Sequence, residues 1–302
     1  SFDPLVGEPV GNAPNMFGLY LVDCFGNKEL LHRDPAISSL WPVPLRCRPI
    51  PPVLPALCEK ADKLEGTFVL QDVYASSPAI PRGSVKRIRI TQVLPKTTQG
   101  RDNPPVGMAG GSPGKQVLGT VPVEADGSAH FTAPAGIPLL FQALDESGQA
   151  VQIMRSATYL QPGETVGCIG CHEPRTTAPA DKLRLKALSR QPSSITPGPD
   201  GSKPFSYPIL VQGILDKHCV SCHNAKDTGG KLNLTGEPQN HYTFSYNAMA
   251  TRVPWSNDTN NDSLSIPGRY GARGSSVMAL MLKAGHYKVA LSADEIERLA
   301  TW

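Results

Sequence analysis

Two short runs carry the chemistry of this chain: Cys168-Ile169-Gly170-Cys171-His172 and Cys219-Val220-Ser221-Cys222-His223. Both read Cys-x-x-Cys-His, the attachment pattern of a c-type haem. Two thiols one helical turn apart can each form a thioether with one vinyl group of a single porphyrin. The adjacent His then falls under the iron as its proximal ligand, where the imidazole tunes the metal. The expected cofactors are therefore two covalently bound haem c groups. Cys168, Cys171 and His172 are assigned to the first, and Cys219, Cys222 and His223 to the second.

Other uses of paired cysteines fit less well. Structural zinc sets its Cys pairs about 15–20 residues apart, or follows one pair with two His. Cys171 and Cys219 lie far outside that window. A thioredoxin-like redox pair expects a βαβ setting, which the Pro- and Gly-rich surroundings of Cys168 do not offer. Cys24, Cys47 and Cys58 remain. In an oxidising compartment they allow one disulfide and one free thiol, and buried inert Cys is the equal alternative.

The elements that must position these motifs divide by pattern into an α+β chain. From Phe17 to about residue 155 the signal is β. Phe17–Val22, Thr67–Tyr74, Val85–Val93, Gln116–Val123, Ala129–Thr132, Leu139–Leu144 and Val151–Met154 alternate or carry β-branched runs, with Gly, Pro and Asp-Gly between them. Val85 to Ile90 alternates apolar and basic residues, the pattern of a strand half in water. Ala125-Asp-Gly-Ser and Glu146-Ser-Gly are turn signals, and residues 42–55 form a Pro-rich extended strap. The expected unit is a β-rich sandwich or partly open barrel over residues 1–175, ending in the first motif.

Residues 176–204 are rich in Pro, Ser and Lys and read as a linker, with a helical turn near Asp181–Ser189. Residues 205–302 read as a small helical cytochrome c-like domain. A helix over Ile209–His218, with Pro208 at its first turn, leads into Cys219. Asn240–Ser265 is polar and expected to loop, and Ser275–Lys283 reads as a helix ended by Gly285. Ser292-Ala-Asp-Glu295 is a capping box that opens a closing helix with an apolar stripe of Ile296, Leu299 and Ala300.

Bulk properties narrow the classes. At 302 residues, two domains are the prior. The 30 Pro and 28 Gly make nearly a fifth of the chain, against roughly 12% on average. A net charge of +3 is too small and dispersed for nucleic-acid binding. No run of 18 apolar residues spans a membrane. The chain opens at Ser1, so a processed chain or a fragment is expected. Covalent haem attachment places such proteins outside the cytoplasmic membrane, so the expected location is periplasmic or extracellular.

Several runs resemble one family. Phe17-Gly-Leu-Tyr-Leu-Val-Asp, Gly26-Asn-Lys-Glu-Leu-Leu, Pro44-Leu-Arg and Pro51-Pro-Val look like the middle domain of the hydrazine synthase alpha subunit. Val121-Pro-Val-Glu-Ala-Asp-Gly-Ser, Phe141-Gln-Ala-Leu-Asp and Tyr159-Leu-Gln-Pro-Gly-Glu, leading to Cys168, extend the likeness. Ile214-Leu-Asp-Lys-His-Cys and Gly285-His286 are similar to the C-terminal haem domain of that subunit. The β-propeller that precedes these domains in the family has no counterpart in the sequence. The resemblance implies that His286 is the distal ligand of the second haem, giving bis-His iron. Met278 and Met281 are rivals, in a helix where Met usually fills core space.

For the first haem, His218 and His130 are the distal candidates. His218 adjoins the second motif, and a helix-end cation explains it as well; His130 follows a turn. His32 and His241 sit in polar contexts expected at the surface. In the family, a Tyr four residues after the first motif's His reaches the iron; the matching residue here is Thr176, which has no phenol. The leading expectation is therefore a di-haem cytochrome that relays electrons. One alternative is a hydrazine synthase-like enzyme subunit whose five-coordinate first haem acts on small nitrogen compounds. Another is a self-assembling extracellular filament. The partners expected are redox proteins or further copies of the chain, as a homo-oligomer or filament.

Overall fold

The computed structural model describes residues 17–34, 36–50, 64–107, 110–154, 156–171, 184–226, 231–254, 271–282 and 286–302. The chain divides into two compact units, Ser1–Pro55 and Ala56–Trp302. In the first, β1 (Leu19–Val22) and β2 (Lys28–His32) form an antiparallel hairpin. Its turn is held by Asp23, whose carboxylate accepts from the backbone amides of Phe25 and Asn27, each at 2.9 Å. Cys24 and Cys47 are both exposed there and form no disulfide; Cys58 lies outside the described residues.

The second unit is α+β and starts with two facing sheets. The order in one is β6-β3-β9 (Ala129–Pro134, Glu65–Leu70, Thr165–Cys168). In the other it is β5-β4-β7-β8 (Lys115–Pro122, Arg87–Val93, Leu139–Leu144, Ala150–Ile153). Alternation along each strand sends one set of side chains inward. Phe68, Leu70, Ala129 and Phe131 of the first sheet meet Ile88, Ile90, Val121, Leu139 and Val151 of the second in one core. The rings of Phe68, Phe131 and Phe141 interlock across the sheets, with centroids 5.0–5.8 Å apart. The β-rich part is thus a sandwich, built on the strands that alternate in sequence.

Three features differ from the sequence expectation. First, Arg89 is 2% exposed, although the alternation put it in water. Its guanidinium donates to Gln142 Oε1 at 3.0 Å and to Gly148 O at 3.3 Å, and burial pushes its pKa down to about 10. The outer face of the β4 sheet is covered because Phe205, Leu210 and Arg298 of the helical part stand over Arg89 and Thr120 across a cleft of about 450 Å³.

Second, the part of the expected linker that is described is bound down. Ser193 exchanges backbone hydrogen bonds with His130 and Thr132 on β6, and Thr196 does so with Thr120 on β5. Ala187 is fully buried, and its amide donates to Ser128 Oγ at 3.0 Å. Gly119 allows this approach: a Cβ there would lie 2.2 Å from Thr196 O. Backbone groups that a free linker would leave to water are paired along the sheet edges.

Third, the expected loop after Asn240 contains a helix, α3 (Phe244–Ala250), whose N-cap Thr243 accepts from Tyr246 N; residues 255–265 lie outside the described set. The other helices are α1 (Tyr207–Leu210), α2 (Gln212–His218), α4 (Gly271–Gly274), α5 (Ser276–Leu282) and α6 (Ala293–Thr301). They enclose a core of Tyr207, Val211, Leu215, Met249, Met278 and Leu299. Met278 is 4% exposed in that core, and Met281 packs on its edge. No helix among the described residues is long and apolar enough to cross a membrane.

Candidate haem-attachment sites

The first motif begins on β9, which ends at Cys168 and runs parallel to β3. Beyond the strand, Gln71 N donates to Cys168 O at 2.9 Å and Asp72 N to Ile169 O at 3.0 Å. The motif's turn is therefore stapled to the loop leaving β3. Gly170 is required here, because a Cβ would sit 2.0 Å from Ala75 O. Cys168 and Cys171 are half-buried and pack against the sandwich core. His172 and Thr176 lie outside the described residues.

Of the two candidates for a distal ligand at this site, His130 lies on β6 and His218 ends α2. His130 pairs with Val69, whose other partner is Gly167, whereas Cys168 pairs with Leu70. Side chains alternate along a strand, so His130 stands on the opposite face of the sheet from Cys168. Its Nδ1 is buried without a hydrogen-bond partner among the described residues. His218, at the end of α2, meets Glu295 Oε1 through Nε2 at 3.0 Å. His32 and His241 are exposed.

The second motif continues from α2 as a further helical turn. Cys219 N donates to Leu215 O at 2.8 Å, and His223 N donates to Cys219 O at 2.9 Å. Cys219 faces the helical core, where burial pushes its thiol up, and Cys222 is exposed. Asn224 closes the turn by donating to Val220 O at 3.0 Å. The imidazole of His223 has a buried Nδ1 that makes no hydrogen bond among the described residues.

Opposite that ring stands His286, although most of the helical part separates the two in sequence. The ring centroids are 6.3 Å apart and the planes 13° from parallel. Rings stacked in direct contact would lie far closer. The gap matches two metal–nitrogen bonds of about 2 Å each plus the ring radii. Two thiols, a proximal imidazole and a second imidazole at that spacing fit a c-type haem at this site. Among the described residues no three His, Cys, Asp or Glu side chains converge as an ion held by side chains alone requires.

Glu295 ties this site to the last helix and was legible only as half of a capping box. Its carboxylate accepts from Ser292 N at 2.8 Å, Lys217 Nζ at 2.9 Å and His218 Nε2 at 3.0 Å. The Ser292 amide first, then Lys217 and His218, hold its pKa down to about 2. A depressed carboxylate stabilises the fold fully above its ordinary value of 4.5 and loses that contribution as pH falls toward 2. Glu295→Gln is expected to cost about 1–2 kcal/mol at neutral pH, the size of a lost cap. It should also flatten the acid limb of a pH series of thermal midpoints; an unchanged limb would refute the clamp.

The fold and the first motif have a counterpart among known proteins. Residues 83–173 match the hydrazine synthase alpha subunit middle domain. That span takes in β4 to β9 and the whole first motif, and it is less than half of the chain. Among solved structures, the hydrazine synthase of Kuenenia stuttgartiensis resembles this fold with a TM-score of 0.53. The likeness has 19% sequence identity and covers 80% of this chain and 42% of that one. At that identity the likeness is one of fold, and the chain spans under half the length of the hydrazine synthase chain it matches. No curated protein matches the sequence.

Proposed function

We propose that this chain is a c-type haem protein of hydrazine synthase-like architecture that works outside the cytoplasm. Cys168 and Cys171 with His172 would hold one haem c, and Cys219 and Cys222 with His223 the other. Bound there, the group supplies one-electron redox chemistry at iron. The reading rests foremost on one observation: His223 and His286 face each other at 6.3 Å with nearly parallel rings.

The second site would accordingly serve electron transfer, since His223 and His286 would together hold the group and leave no position for a substrate. The first site is where an enzyme of this kind would act on small nitrogen compounds. The middle-domain match supports that role, because it covers the first motif and stops at residue 173, directly after it. The relay-only reading is favoured by Thr176, which stands where the family has a Tyr. A resting spectrum with carbon monoxide titration separates the two readings. A high-spin, CO-binding first haem supports the enzyme, and two low-spin haems that ignore CO support the relay. Redox proteins or further copies of the chain would be the partners in either case.

Attachment itself has a direct test. Thioether bonds survive denaturation and axial bonds do not. The purified protein should stain for haem after denaturing electrophoresis, and its mass should exceed the polypeptide by two haems. An unmodified mass would sink the proposal.

A further inference from the structure

The backbone just after His286 is strained at two successive residues. Val289 N donates to His286 O at 3.0 Å, which closes a four-residue turn. Its two central residues, Tyr287 and Lys288, have φ of 47° and 65°. Positive φ at both central positions is the type I′ pattern, normally filled by Asn-Gly or Asp-Gly. Here two long side chains occupy it, and neither is buried: Tyr287 is 85% exposed. Strain of this kind persists where something over-determines it.

What Tyr287 obtains from the turn is a contact with His286. The two ring centroids are 5.1 Å apart and the planes 85° from each other. That is an edge-to-face pair. Turning the His286 imidazole about its Cβ–Cγ bond would break the perpendicular approach or drive the ring edge into the phenol. In its present orientation the same imidazole lies 13° from the plane of His223. The chain of contacts runs from turn to phenol, from phenol to imidazole, and from imidazole to its opposite number.

We infer that Tyr287 is a positioning residue that fixes the imidazole plane of His286 near-parallel to that of His223. The inference rests on the second site holding a haem between those two His. A ring beside a metal ligand sets the ligand's orientation without touching the metal. The angle between two axial imidazole planes governs the splitting of the iron d orbitals. In the ferric low-spin state, parallel planes give a well-resolved rhombic paramagnetic resonance spectrum. Crossed planes give a broad, strongly anisotropic one.

The test is the paramagnetic resonance spectrum of the ferric, fully loaded chain and of three variants. The wild type should show a rhombic low-spin signal that His286→Ala removes, which assigns it to the second site. Tyr287→Ala should replace that signal with a broad, more anisotropic one or a mixture. Tyr287→Phe, which keeps the ring, should retain it. Lys288→Gly, which relieves turn strain and leaves the ring in place, should retain it as well. A Tyr287→Ala spectrum superposable on the wild type overturns the inference. So does a Lys288→Gly shift as large as that of Tyr287→Ala, because strain rather than the ring would then be responsible. If His286→Ala leaves the wild-type spectrum unaltered, the haem reading of the second site fails first, and this distinguishes the two failures.

Discussion

Replacing His286 with Ala should turn a second site that ignores carbon monoxide into one that binds it. His286 is the residue facing His223 across a 6.3 Å gap. An iron held between them would have no open position, and removing one imidazole would open one. The ferrous variant should take up one more equivalent of CO per chain than the wild type, with a shift of the Soret band. Its reduction potential should rise, because a strong donor to the ferric state is lost. The mutation also removes the partner of the Tyr287 ring, so added imidazole should restore the closed spectrum if coordination alone has changed. Unchanged CO uptake would leave His223 without its partner and return the ligand question to the helical core. Met278, 4% exposed in the core against which Cys219 also packs, would then be the first rival to replace.

The second large effect concerns the sandwich rather than the iron. Phe131 is 1% exposed on β6 and touches Phe68 in its own sheet and Phe141 in the other. Truncating it to Ala removes a ring that spans both sheets and leaves a void the strands cannot close. The expected cost is about 3–5 kcal/mol, or a fall in the thermal midpoint of roughly 10 °C. Calorimetry of the loaded protein measures it. A loss below about 1 kcal/mol would mean that the core relaxes around the gap, contrary to ordinary interior packing. Phe131 and Cys168 share the inner face of one sheet, so covalent attachment at the first motif should also become less complete.

Much of this was legible because its causes are local. The strands from β3 to β8 alternate visibly in sequence, Asp126-Gly127 marks the turn where the chain crosses from β5 in one sheet to β6 in the other, and Ser292 with Glu295 announces α6. What escaped depends on contacts between distant segments. Arg89 reads as a solvent-side residue until the helical part is laid over it, and nothing within its own strand signals that cover. The stretch from Arg184 to Pro204 has the composition of a linker, yet its amides find carbonyls on β5 and β6. Strand β9, Thr165-Val-Gly-Cys, is too short and too glycine-rich to stand out, and it becomes a strand only because β3 offers an edge. The candidate attachment cysteines are read from spacing alone, which is a covalent rule and independent of fold. The orientation of His286 was beyond such rules, since the turn that aims it has neither the Asn nor the Gly that usually marks one.

The parallel pairing of β9 with β3 bears on how the protein comes to be made. Thr165–Cys168 must find Thr67–Leu70, a partner synthesised long before it, and β4 to β8 all lie between them. Loop-closure entropy makes contacts of such wide sequence separation slow to form. The strand that leads into the first thiol pair is therefore among the last of the sandwich to dock. Until then Cys168 and Cys171 remain on unstructured chain, open to whatever ligates or oxidises them. Order of events becomes a property of topology: the first motif has a long interval in which to be modified before its turn is stapled to Gln71 and Asp72. The second motif follows its own helix within a few residues and has no such interval.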